Sequence, residues 1–149
     1  MTHWEKLNDF LVSCFYSILW AEEKALGPVS NNTLSIKEIH VIDAVCKAKT
    51  KNKNTFSHIA NILNITLGTL TTSFARLQRK GYLAKRQDAT DKRVYFIEPT
   101  ELGIFINKKH DEFHKKMVEG IIELLPEKEL DNLVSSLGVL ETFFRQQMK

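Results

Sequence analysis

Between Thr55 and Pro99 the chain carries two amphipathic helical patterns, a basic helix end and two short alternating runs, with no room for a further element. In the first pattern Phe56, Ile59, Ala60 and Leu63 recur at spacings of three and four, which makes one face of a short helix apolar. Thr55 or Ser57 is placed to cap it, and Asn64 suits the turn at its end. Thr66 is the best N-cap for a second helix running to Lys80. There Leu70, Phe74 and Leu77 face inward, while Gly68, Thr72, Ala75, Arg76 and Arg79 take the opposite side. Gly81 stops the helix in the left-handed conformation usual just past a helix end. Tyr82–Gln87 and Val94–Glu98 then alternate as strands around a tip at Asp88–Arg93. Helix, tight joint, helix and charged hairpin in that order describe a winged helix-turn-helix. Such a unit presents one helix to a major groove and a wing to the minor groove beside it.

Charge is concentrated in the same region. Residues 76–93 hold seven cations (Arg76, Arg79, Lys80, Lys85, Arg86, Lys92, Arg93) against Asp88 and Asp91, a local net charge of +5. The whole chain is only +3, so everything outside this stretch sums to −2. A positive field confined to the groove-binding unit is the pattern of a protein that neutralises phosphates locally. A second group, Lys47, Lys49, Lys51 and Lys53, precedes the first of these helices and reads as a solvated loop within reach of backbone phosphates.

The flanks are helical. Trp4, Leu7, Leu11, Cys14, Phe15, Ile18 and Ala21 share one stripe over residues 4–25, and Phe10, Val12, Leu19 and Trp20 widen it beyond the needs of one small core. Gly27-Pro28 ends that helix, and Ser30-Asn31-Asn32 is a loop. Ser35-Ile36-Lys37-Glu38 is a capping box that opens a helix through about Cys46, followed by a lysine/asparagine loop at 47–54. Thr100 caps a long helix to roughly Leu124, and Pro126 sits in the first turn of a final helix striped with Leu130, Leu133, Leu137, Leu140 and Phe144. The fold class expected is mainly α with a small β-hairpin: a winged helix-turn-helix DNA-binding part at 34–99, and a helical dimerisation part at 1–30 and 100–149. Apolar stripes this broad mark interfaces, and a two-fold dimer would set two groove-reading helices one DNA turn apart on a palindromic site.

Other classes are poorly supplied. No run of ~20 apolar residues is available to span a bilayer, and the N-terminus lacks a basic stretch before an apolar one, so a cytoplasmic location is expected. No glycine-rich phosphate loop, nucleophile elbow or paired-carboxylate motif points to an enzyme. Two cysteines, Cys14 and Cys46, are too few for a disulfide scaffold and read as buried thiols. The rival from a different class is a winged-helix scaffold that binds protein; it predicts no salt-steep duplex binding.

This order of helices and wing, with Asp91-x-Arg93 at the wing tip, resembles the MarR family of bacterial regulators over nearly the whole chain. The stretches Ser35-Ile36-Lys37-Glu38-Ile39-His40, Leu67-Gly68-Thr69-Leu70-Thr71-Thr72-Ser73, Arg79-Lys80-Gly81-Tyr82 and His110-Asp111-Glu112-Phe113-His114-Lys115 are similar to its FabT-type repressors of fatty-acid synthesis genes. The resemblance implies a homodimeric repressor on double-stranded operator DNA, with a long acyl chain on acyl carrier protein as co-repressor. It implies that Arg93, held by Asp91, enters the minor groove, where a narrow A·T-rich tract attracts a guanidinium. Thr69, Thr72 and Arg76 are the base-facing candidates, with Gly68 permitting close approach. Thr66, Arg79, Lys80 and Arg86 are candidates for phosphate.

Three histidines stand apart. His110 and His114 are spaced i,i+4 and share one helix face, as a metal pair would, and His40 lies five residues beyond Ser35. By analogy with zinc-sensing members of the family, Glu22 or Glu23 could complete four ligands. FabT-like proteins share this histidine spacing without sensing zinc, so the expectation is a hydrogen-bonded cluster of His40, His110 and His114 near an effector pocket, with no metal or other cofactor. Cys14 on the first helix resembles the thiol of peroxide-sensing members, but no tyrosine occurs between Tyr16 and Tyr82 to hold a thiolate.

Overall fold

The computed structural model describes residues 1–148, which form two compact units, one up to Asp111 and one from Glu112 onward. The helices are α1 (His3–Leu26), α2 (Ile36–Thr50), α3 (Phe56–Leu63), α4 (Leu67–Arg79), α5 (Glu101–Leu124) and α6 (Glu127–Gln147). A 3₁₀ turn at Pro28–Ser30 occupies part of the expected loop after α1. One antiparallel hairpin, β1 (Leu83–Gln87) and β2 (Tyr95–Pro99), pairs Leu83 with Pro99 and Gln87 with Tyr95.

In the first unit α2 is the hub. Eight of its residues are buried, among them Ile39, Ile42 and Val45, because α1, α3, α4 and β2 all pack around it. The capping box works as written in the sequence: the Glu38 N–H donates to Ser35 Oγ (3.2 Å), and the Ser35 N–H donates to Glu38 Oε1 (3.0 Å). The helix does not end near Cys46 but continues to Thr50. Lys47 donates to Asp43 one turn back at 2.7 Å, and lysines in a last turn favour the negative end of the helix dipole. The loop is therefore shorter than expected, and Lys47 and Lys49 belong to a helix.

The wing is fastened to the helices by backbone pairing. Asn54 is buried; its Nδ2 donates to the Ile97 carbonyl and its own carbonyl accepts the Ile97 N–H, both at 2.9 Å. Glu98 on β2 receives Arg86 Nε (2.9 Å) and Lys49 Nζ, and the Arg86 guanidinium lies 4.4 Å over the Phe96 ring. Burial pushes the Glu98 carboxyl up, but the two cations outweigh it and hold it below the usual carboxylate range.

Thr100 caps α5 by accepting the Gly103 N–H (3.2 Å) while its hydroxyl donates to the Gly81 carbonyl (2.6 Å). Pro126 is the N-cap of α6 rather than a residue of its first turn. No α6 residue is buried. Gly103 is required where it stands, because a Cβ there would overlap the Tyr82 carbonyl oxygen. Gly103→Ala should therefore destabilise the fold by roughly 1–3 kcal/mol, since backbone must yield to backbone. A chemical-denaturation midpoint indistinguishable from wild type would show that the helix slides away without cost.

Candidate nucleic-acid interface

Helix α4 starts at Thr66, whose Oγ1 accepts the Thr69 N–H (3.1 Å) and donates to Thr69 Oγ1 (2.8 Å). Leu70 and Leu77 are fully buried and Phe74 nearly so, edge-on to Phe56 with centroids 5.1 Å apart. With that face fixed inward, Thr66, Gly68, Thr69, Thr72, Arg76 and Arg79 are all exposed. The Thr72 hydroxyl donates to the Gly68 carbonyl (3.1 Å), which leaves its oxygen as an outward acceptor.

The wing tip is ordered by carboxylates. Asp88 Oδ2 accepts from Thr90 Oγ1 and from the Asp91 N–H, each at 3.0 Å, closing the turn. Asp91 takes the Arg93 guanidinium in a fork, Nε to Oδ1 and Nη2 to Oδ2, both 3.1 Å, and the Arg93 N–H as well. These bonds hold the Asp91 carboxyl below its ordinary value. The Arg93 side chain is 91% exposed, so the pair adds little stability. Its effect is to aim the guanidinium.

Between wing and helices lies an open cleft of about 480 Å³, bordered by Thr55, Ser57, Thr71, Lys85, Arg93 and Tyr95 among others. The first turn of α3 opens on it, and first-turn N–H groups of a helix suit phosphate oxygens. Ser57, Thr71 and Lys85 border the cleft in addition to the residues the sequence points to. The first-turn placement of Ser57 was available from the Thr55 cap, whereas the approach of Lys85, which sits 4.9 Å over the Tyr95 ring, depends on the hairpin register. Lys80 and Arg86 differ from the other expected phosphate ligands. Lys80 Nζ reaches the Thr33 carbonyl and both Glu38 oxygens, and Arg86 is tied to Glu98 at the wing's base.

His40 Nε2 is 2.8 Å from Glu22 Oε2, His110 Nε2 is 4.0 Å from the same oxygen, and His110 Nδ1 is 3.6 Å from Asp43 Oδ1. Glu22 and His110 are 3% and 4% exposed, so α1 and α5 bury the heart of a polar cluster that α2 completes with the more open His40 and Asp43. Glu22, not Glu23, is the inward carboxylate. His114 is half-buried in the second unit, edge-on to Phe113. Cys14 and Cys46 are free and only half-buried, less enclosed than expected; burial, then the Asp43 and Asp111 carboxylates, push the Cys46 thiol up to about 11.

The winged-helix DNA-binding domain family matches residues 30–103. Streptococcus pneumoniae FabT, solved in complex with DNA, is 36% identical, with 97% of this chain and 99% of that one covered at a TM-score of 0.89. The chain belongs to the MarR family of winged-helix regulators. As a member it is a DNA-binding regulator of transcription. The fold is also that of the Staphylococcus aureus MepR–DNA complex (19% identity, 92% and 97% covered, TM-score 0.70). It is likewise that of the zinc-responsive Lactococcus lactis ZitR (23% identity, 75% and 77% covered, TM-score 0.59). A comparison with curated proteins finds no match.

Gly68 gives this surface a direct test. It lies in the first turn of α4, where alanine is still the better helix former, and a Cβ there would meet nothing. Gly68→Ala should raise stability by up to about 0.5 kcal/mol in denaturant melts, yet weaken duplex binding. Stabilisation with undiminished binding would mean the helix N-terminus does not approach the groove closely.

Proposed function

We propose that the chain is a homodimeric repressor of fatty-acid synthesis genes that grips a palindromic operator and takes a long-chain acyl group on acyl carrier protein as co-repressor. The observation that carries this reading is the uncovered polar face of α4 beside an arginine already aimed by Asp91. In this reading α4 lies in the major groove with Thr69, Thr72 and Arg76 toward base edges and Thr66 and Arg79 toward phosphates. Arg86 adds a phosphate contact from the base of the wing. Arg93 enters the adjacent minor groove, favoured where A·T pairs narrow it.

Dimerisation is supported by apolar surface that a lone chain leaves in water. Trp4, Phe10, Phe15 and Trp20 on α1 are exposed, as are Val118, Ile121 and Ile122 on α5 and Val134, Leu137, Phe143 and Phe144 on α6. A surface of that character belongs against a partner, and a second copy supplies the symmetry a palindrome needs. The fatty-acid half of the reading is supported by the likeness to FabT.

A second reading, zinc sensing, is supported by one observation: ligand atoms of Glu22, His40 and His110 all lie within 4.8 Å of one another. Two imidazoles and a carboxylate fit a borderline divalent cation. Fluorescence anisotropy on a labelled fatty-acid promoter fragment separates the readings. Long-chain acyl carrier protein should tighten binding, and Arg93→Ala should weaken it by roughly 1–3 kcal/mol. No response to the acyl protein together with a zinc-dependent shift would transfer the input to metal. Unchanged affinity for Arg93→Ala would remove the wing from the mechanism.

A further inference from the structure

Lys80 stands at the C-terminal end of the groove-reading helix, next to Arg79, and by sequence it is one more phosphate ligand. Its surroundings say otherwise. The Nζ donates to the Thr33 carbonyl at 2.7 Å and to Glu38 Oε2 and Oε1 at 2.9 and 3.1 Å. An ammonium has three hydrogens, and three acceptors occupy them. Glu38 is buried, and the same carboxylate that takes Lys80 also closes the capping box at the start of α2. Two residues past Lys80, the Tyr82 hydroxyl lies 3.2 Å from Thr33 Oγ1, so the end of α4 is fastened twice to the segment leading into α2. A lysine so engaged could reach a phosphate only by leaving a buried carboxylate without its cation, which is costly.

We propose that Lys80 and Glu38 are positioning residues for DNA recognition: a strut that fixes the C-terminal end of α4 against the start of α2, and so sets how the exposed threonines and arginines meet the duplex. The inference rests on the DNA-binding reading of α4 and assigns Lys80 a role other than phosphate contact. Because α2 also carries His40 and Asp43, which contact the buried Glu22 and His110, the strut joins the reading helix to the element nearest the expected effector site.

The test is the salt dependence of operator affinity for the full-length protein, at a temperature where each variant is shown to be folded. Arg79→Ala, the comparison, removes one phosphate contact per subunit, two per dimer, and should make the slope of log affinity against log salt shallower by about 1.8. Lys80→Met should weaken binding roughly tenfold, the scale of one charge-assisted hydrogen bond, with the slope unchanged. Glu38→Gln preserves the capping box, which accepts glutamine, and should weaken binding to a similar extent. The double variant should be no worse than either single one, as expected of partners in one contact. A slope reduced in Lys80→Met, with Glu38→Gln binding as well as wild type or better, would overturn the proposal and make Lys80 a phosphate ligand. A lower melting temperature with unchanged affinity would overturn it as well, leaving the pair merely structural. If Lys80→Met does not fold, Glu38→Gln decides alone by losing or keeping affinity. Wild-type protein without salt-steep duplex binding would instead defeat the DNA reading itself, a separable outcome.

Discussion

The packing of Leu70, Phe74 and Leu77 into the first unit is the constraint on which the rest depends. These side chains stand three and four residues apart on α4 and are held under Ile59, Ile42 and their neighbours in one core. Because a helix has one rotation about its axis, burying them decides what faces out. The outward row contains no large apolar side chain between Gly68 and Arg79 but four hydroxyl or small residues followed by arginines. A surface that owes nothing to the core and is cationic at one end is shaped by what it meets outside the protein. The wing then adds the oriented Arg93 guanidinium at the border of the cleft it shares with α4, fixed through Asp91 at its own tip and through Asn54 and Glu98 at its base.

Much of this was legible in the sequence because the signals are local. Ser35 with Glu38, Thr55, Thr66, Asn64 and Gly81 mark helix ends by side-chain or backbone chemistry acting over three or four residues; each stands where that chemistry puts it, with Asn64 and Gly81 at positive φ. The pairing of Arg93 with Asp91 is what the family resemblance implies, and the two-residue separation lets the fork close within the wing tip. What escaped was set by distance along the chain. The Lys80–Glu38 contact spans 42 residues and the Asn54–Ile97 contact 43, and neither lies on a periodic pattern. The extension of α2 past Cys46 is not legible in the sequence because lysines and a threonine look like loop; here Asp43 and the helix dipole hold them. The choice between Glu22 and Glu23 required the rotation of α1 about its axis, which its broad apolar stripe leaves open.

That stripe carries the other half of the account. In the first unit, α1 buries only Glu22 and Leu26 and leaves two tryptophans and two phenylalanines exposed; in the second, α6 buries nothing. Helices of this kind gain most of their stability from packing, not from intrinsic propensity. The proposed dimer would supply that packing and at the same time hold two α4 surfaces at a set spacing. Gly120 and Gly138, each with open space where a Cβ would be, would let a partner helix come close. In that proposed dimer, repression and its control would reduce to the separation and tilt of two reading helices, on which α2, the proposed strut at its start and the polar cluster along it would all bear.

The most direct test is a dimethyl sulfate footprint on an operator from a fatty-acid promoter, which reports guanine N7 in the major groove and adenine N3 in the minor groove at once. Two protected major-groove patches on one face of the duplex, about 10 base pairs or a multiple of that apart, each beside a protected minor-groove adenine tract, are the predicted result. A single patch, patches on opposite faces, or an unprotected minor groove would contradict the account.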